Sequence, residues 1–147
     1  MYKHLLVPTD GSKLSDKAVV QAIELAKAIG ADITFLHATP PIPRPIYTDG
    51  VAVDMLPRKE YIQRTKADAA KVLDRVSAKA GTAGVDTKVV HVTTEAPWES
   101  IIAVAKKSKA DAIVMASHGR RGLASLLLGS ETTKVLTHST VPVLVVR

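Results

Sequence analysis

Short apolar runs alternate with segments of helical period along almost the whole chain, and this alternation leaves few folds open. Residues 5–7, 32–38, 87–92, 110–116 and 141–146 read as strands. The first intervening segment carries Leu14, Ala18, Ala22, Leu25, Ala26 and Ile29 at three- and four-residue spacing, with Ser12 or Ser15 as its cap and Gly30 as its stop. A long helix is expected over about 58–80, with Tyr61, Ala69, Val72, Leu73 and Val76 facing inward. Pro97 suits the first turn of a third helix, continued by Ile101, Ile102, Val104 and Ala105, and residues 131–137 form the last. Strands that alternate with helices in this way build an α/β fold: one doubly wound, Rossmann-like, five-stranded parallel sheet with helices on both faces. The joints at Ala31-Asp32 and Ala110-Asp111 use the same helix-to-strand device, but the halves differ too much in length for an internal repeat.

One segment breaks the rhythm. Pro40, Pro41, Pro43, Pro45 and Pro57, with Gly50, argue against regular structure for most of residues 39–57. An ordered loop of this length is a flexible flap or a ligand-binding lid.

The 147 residues suit a single domain, 1–147. Aromatics make up only 3%, so the core must be built from Ala, Val, Leu and Ile. The absence of cysteine excludes disulfides, thiol catalysis and cysteine-based zinc sites. No apolar run approaches the ~20 residues of a membrane span. The start, broken at Pro8, is too short for a signal peptide, so a soluble cytoplasmic chain is expected. The net charge of +6 is spread along the sequence, and no aromatics are interleaved to stack on bases. A nucleic-acid face is therefore not expected.

Ligands of doubly wound sheets bind beyond the carboxyl ends of the strands, where the strand order reverses. With right-handed crossovers and strand order 3-2-1-4-5, the reversal lies between strands 1 and 4. The segments that meet there are Thr9-Asp10-Gly11 and Ala116-Ser117-His118-Gly119, the most polar, glycine-bearing strand ends in the chain. Gly129-Ser130 then opens the last helix, and uncommitted N–H groups at a helix start attract phosphate. Asp10 suits ribose hydroxyls or a ligand amine, or it caps the first helix; the two roles can coexist. Gly119 and Gly129 would let phosphate approach the backbone, Ser130 and Thr132 would add hydroxyls, and Arg120 and Arg121 could meet phosphate oxygens. His118 orients the loop or lines the site rather than acting as a base. His4, His37, His91 and His138 read as structural or exposed, with no metal spacing. Trp98 reads as packing in preference to a stacking platform. The chain has no G-x-x-x-x-G-K-[ST], no G-x-G-x-x-G after the first strand and no G-x-S-x-G. These absences argue against a P-loop enzyme, a dinucleotide site and a nucleophile elbow.

At these residues the chain resembles the universal stress proteins of the UspA superfamily, in their ATP-binding branch. The resemblance covers essentially all 147 residues. It rests on Val7-Pro8-Thr9-Asp10-Gly11-Ser12, on Leu36-His37-Ala38 and on the terminal Val141-Pro142-Val143-Leu144-Val145-Val146. It rests also on the pattern G-x2-G-x9-G-[ST], matched by Ala116, Gly119 and Gly129-Ser130 with alanine at the first glycine. The resemblance implies an adenine nucleotide alpha hydrolase-like fold with ATP or AMP at the switch point. Asp10 would contact the ribose and the backbone of Ala38 would read the adenine edge. Gly119, Gly129, Ser130 and Thr132 would hold phosphates with a divalent ion, Mg or Mn. Pro8, Thr9, Met115, Ala116, His118, Arg120 and Glu131 would complete the nucleotide-binding site. The resemblance further implies a homodimer through Val143–Val146, acting in stress-response signalling with at most slow ATP hydrolysis. A nucleotide-free dimeric scaffold whose loops dock a protein partner is the alternative, and a true ATPase or nucleotidyl transferase is a third reading. The methyl group of Ala116 costs little unless that backbone takes a positive φ.

Overall fold

A computed structural model describes residues 1–53, 57–120, 122 and 128–147. Its elements in chain order are β1 (His4–Pro8), α1 (Lys13–Ile29), β2 (Asp32–Thr39), β3 (Ile46–Thr48), β4 (Val51–Val53) and α2 (Arg58–Thr82). They continue with β5 (Thr87–Thr93), α3 (Pro97–Ser108), β6 (Ala112–Ala116), α4 (Ser130–His138) and β7 (Val143–Val146). The main sheet has five strands in the order β5-β2-β1-β6-β7, all parallel. Numbered among themselves, these strands give 3-2-1-4-5, the expected doubly wound order.

Alternating side chains of the strands divide the core between two faces. Leu5, Val7, Ile33, Phe35 and Val114 pack beneath α1 and α2. Leu6, Leu36, Ile113 and Met115 pack beneath α3 and α4. Leu5, Leu6 and Val7 are all 0% exposed, which marks β1 as the centre of the molecule. A run apolar on both sides is what a strand covered on both faces requires.

Local chemistry fixes the helix ends. Ser12 is the N-cap of α1, its side chain accepting from the Ser15 N–H, and Gly30 closes the helix in the left-handed region at φ 66°. Ser15, the other candidate cap, is instead buried inside the first turn, with its hydroxyl 3.0 Å from that of Thr9. Lys109 takes the left-handed role at the end of α3, with φ 56°. The two Ala-Asp joints lock onto the same strand. The Asp32 N–H donates to the Lys3 carbonyl at 2.9 Å and the Asp111 N–H to the His4 carbonyl at 2.8 Å. The Asp111 carboxylate accepts the N–H groups of Lys3 and His4 in return, and these bonds hold its pKa below the ordinary value.

Two strand starts and one loop differ from expectation. Strand β6 starts at Ala112, because Ala110 and Asp111 form the joint. Strand β7 starts at Val143, after Pro142, which lacks an N–H for the ladder. Within the proline-rich stretch, β3 and β4 form a small antiparallel hairpin where no regular structure was expected. Its turn is Asp49-Gly50, with φ of 51° and 78°, the positive pair that a two-residue hairpin turn demands. All six strand residues of this hairpin are exposed. No described helix is long and apolar enough to cross a membrane.

Candidate functional site

The carboxyl ends of β1 and β6 lie side by side, and Asp10 joins them. Its Oδ1 accepts the Ser12 N–H at 2.9 Å, and its Oδ2 accepts the Arg120 N–H at 2.8 Å. One carboxylate therefore braces both loops of the switch point. Burial is the largest single influence on Asp10 and would raise its pKa. Hydrogen bonds from Ser12, Ser15 and the Arg120 N–H together outweigh it, so the group titrates below the ordinary carboxylate range. Its role toward α1 is not that of the cap, which is Ser12; Asp10 receives the backbone N–H of that capping residue.

Close contact rather than backbone angle is what favours glycine here. A Cβ on Gly119 would stand 2.9 Å from Asp10 Oδ2, and one on Gly129 would stand 3.1 Å from the Cα and Cβ of His118. Gly129 itself has an extended conformation at φ −73°, and its N–H donates to the Ser117 carbonyl at 2.7 Å. This bond folds the start of α4 back onto the end of β6. The Thr132 hydroxyl repeats the tie by donating to the Ala116 carbonyl at 3.0 Å. No side chain among the described residues caps α4, so the N–H groups of its first turn face outward without an intrahelical partner.

Ala116 sits in strand β6 with its methyl in the core beneath α1. Among the described non-glycine residues only Asp49 and Lys109 have positive φ, so alanine imposes no strain at position 116. Met115 is buried on the opposite face. Ser117 is 2% exposed with its hydroxyl 3.2 Å from His118 Nδ1, a neighbour contact that does not present a nucleophile to solvent. Arg120 is exposed at the loop tip. Arg121 lies outside the described residues.

Across the sheet, the Thr9 N–H donates to the Leu36 carbonyl at 2.8 Å. Ala38, two residues further along β2, turns its backbone groups the same way, past the last paired residue of β1, Pro8. Thr9 is 4% exposed, and its carbonyl accepts from His37 Nδ1 at 2.7 Å. A carbonyl can only accept, so His37 carries its proton on Nδ1. His37 thus holds the Thr9-Asp10 corner in place. The sequence marked it only as structural or exposed, since a strand histidine does not reveal which backbone group it will meet.

Glu131 turns away from the switch point. Its Oε2 accepts the Trp98 N–H at 2.9 Å, supplying the first turn of α3 with a cap that Ala96 cannot provide. Trp98 packs against the α3–α4 core and lies against His138, with ring centroids 4.5 Å apart. It is a packing residue. His4 and His91 bond to the hydroxyls of Thr34 and Thr39, and His138 to the Lys134 carbonyl.

A model of the universal stress protein family matches residues 1–147. The chain belongs to the universal stress protein family. This universal stress protein is 32% identical to universal stress protein YxiE of Bacillus subtilis over 154 residues, which span the whole of both chains. Its fold superposes on that of MJ0577 from Methanocaldococcus jannaschii with a TM-score of 0.80 and 26% identity, over 99% of this chain and 96% of that one. A universal stress protein solved in complex with cAMP matches with a TM-score of 0.71 and 26% identity, over 99% of this chain and 97% of that one.

Proposed function

We propose that this universal stress protein binds an adenine nucleotide, ATP or AMP, at the switch point between β1 and β6. The observation that carries the reading is the convergence of Asp10, Gly119 and the uncapped first turn of α4 on one end of the sheet. Asp10 would meet the ribose with the lone pairs its two backbone bonds leave free. The backbone of Ala38 would face the base, beside Pro8 and Thr9. Phosphates would lie against Gly119, Arg120, Ser130 and the N–H groups that open α4. Met115, Ala116, His118 and Thr132 shape the wall between these parts. The relative solved with cAMP supports the ligand class. Glu131, whose carboxylate is bonded to the Trp98 N–H of α3, makes no direct contact with the phosphates on this reading.

Among the described residues no group of three or more histidine or acidic side chains could hold a metal ion. The donor set fits a Mg or Mn ion only as a passenger on the phosphates, with Asp10 as its one nearby carboxylate; the ion would neutralise phosphate charge. The buried Ser117 and the hydrogen-bonded Asp10 supply no free base, so at most slow hydrolysis is expected. We assign the chain a binding role in stress-response signalling, as a homodimer paired through Val143–Val146. Strand β7 is an open sheet edge with Leu144 47% exposed, the kind of edge that pairing protects.

Mass analysis of gently purified protein, followed by calorimetric titration with ATP and AMP, tests the nucleotide. Bound adenine nucleotide or a saturable heat is expected. Neither in both experiments refutes the reading and favours the nucleotide-free scaffold. Sedimentation at micromolar concentration tests the dimer, and a monomer there removes it.

A further inference from the structure

A groove of about 390 Å³ opens on the α2 side of the sheet, over its β5 edge. Two strands, β2 and β1, separate that edge from β6, and the groove is on the sheet face opposite the side chains of Leu36 and Met115. Pro41 and Ile42, from the chain leaving β2, and Ile62 of α2 give it apolar walls. The Tyr61 hydroxyl donates to the Pro41 carbonyl at 3.3 Å and ties those walls together. Lys66, His91 and Thr93 supply its polar end.

The charges at that end are unbalanced. Among the described residues none that lines the groove is acidic, and Lys66 has no carboxylate partner. Asp68, the nearest acid along α2, pairs with Lys71 instead. His91 Nε2 bonds to the Thr39 hydroxyl at 2.8 Å, and its ring stacks on His37 with centroids 6.3 Å apart. Burial first, then His37 and Lys66, push the His91 pKa below its ordinary value. The Lys66 ammonium, without a carboxylate among the described residues, suits this end to an anion.

We propose that the groove binds a small aromatic monocarboxylate. The ring lies between Pro41, Ile42 and Ile62, and the carboxylate meets Lys66, His91 and Thr93. The volume is at the low end for small-molecule sites and admits one or two rings. Apolar walls with a few convergent polar groups are the usual build of such sites. A single ammonium matches a monoanion, whereas a phosphate ester would call for more donors or a second fixed cation. No residue lining the groove is among those proposed to hold the nucleotide, and the two places are linked through His91, Thr39 and His37.

The test is an amide NMR titration of the full chain with naphthoate, with the neutral naphthamide, and with inorganic phosphate. Naphthoate is expected to shift Thr65, Lys66, His91 and Thr93 saturably, while naphthamide binds about tenfold more weakly, the scale of one charge-assisted contact. Lys66→Gln is expected to weaken naphthoate by a similar about tenfold factor without moving Tm, since Lys66 is exposed and has no ion-pair partner among the described residues. Equal binding of acid and amide overturns the proposal. So does phosphate binding at the same amides as tightly as naphthoate, a naphthoate response centred on Asp10, Gly119 and Ser130, or no saturable response at all.

Discussion

Replacing Asp10 with asparagine separates the brace at the switch point from everything else the residue could do. The two side chains share a shape, but asparagine presents one acceptor oxygen and one amino group. In the native chain both oxygens accept backbone N–H groups, from Ser12 at 2.9 Å and Arg120 at 2.8 Å. Whichever way the amide points, one N–H loses its acceptor and faces a donor. A hydrogen bond to a charged group contributes about 1.5–3 kcal/mol, and the exposure of the Arg120 end argues for the lower limit. The expected loss is therefore about 1.5 kcal/mol at pH 7, or about 3–6 °C in Tm for a chain of this length. The sign with pH follows from the depressed pKa of Asp10. The carboxylate contributes stability above its unfolded value of 3.8 and loses it as pH falls through the lower folded value. The gap between native and variant chains should thus close in strongly acidic buffer. Urea unfolding at pH 7 and at acid pH measures both, and amide exchange at Arg120 shows which bond is lost. A variant within about 0.5 kcal/mol of the native chain at pH 7, or a gap unchanged by acid, would refute the brace.

Three further changes follow from the same geometry. Ala116→Gly restores the family glycine but removes a methyl from the core and loosens a strand; it should destabilise the chain by about 1 kcal/mol and leave ATP affinity within about threefold, as calorimetry would show. Gly119→Ala brings a Cβ to 2.9 Å from Asp10 Oδ2 and should cost about 1–2 kcal/mol in urea unfolding; no cost would mean the loop moves freely. Lys109→Gly relieves a left-handed residue at the end of α3 and should raise stability by about 0.5–1 kcal/mol; a lower Tm would show that the Lys109 side chain matters more than its backbone.

The sheet was legible because its strands are read one at a time. Leu5-Leu6-Val7 is apolar without alternation, which already says that both faces are covered, and the return of strand 4 to the far side of strand 1 follows from right-handed crossovers once strands 2 and 3 lie outward from strand 1. The pairing of residues near Asp10 with those near Gly119 was legible for the same reason, as a property of topology. What stayed hidden depends on single contacts. The prolines around residues 40–45 masked the hairpin, although Asp49-Gly50 is a strong turn signal when weighed alone. Glu131 directly follows the phosphate motif, yet its carboxylate goes to the Trp98 N–H, where Ala96 leaves α3 uncapped. The His37 bond to the Thr9 carbonyl joins positions 28 residues apart, and no local pattern announces it.

The Asp10–Arg120 bond joins residues 110 apart, and that separation orders events during folding. Strands β1, β2 and β5 with α1 and α2 come from the first two-thirds of the chain, and half the sheet can assemble from them as the chain is made. The corner at Asp10 then waits, because β1 still lacks its neighbour β6. Closing so long a loop costs little more than closing a shorter one, as each doubling adds only about 0.6 kcal/mol, but it is slow. Until β6 arrives, the apolar flank of the central strand stands open to wrong partners. On the function proposed above, capacity to hold a nucleotide therefore waits until β6 has docked beside β1.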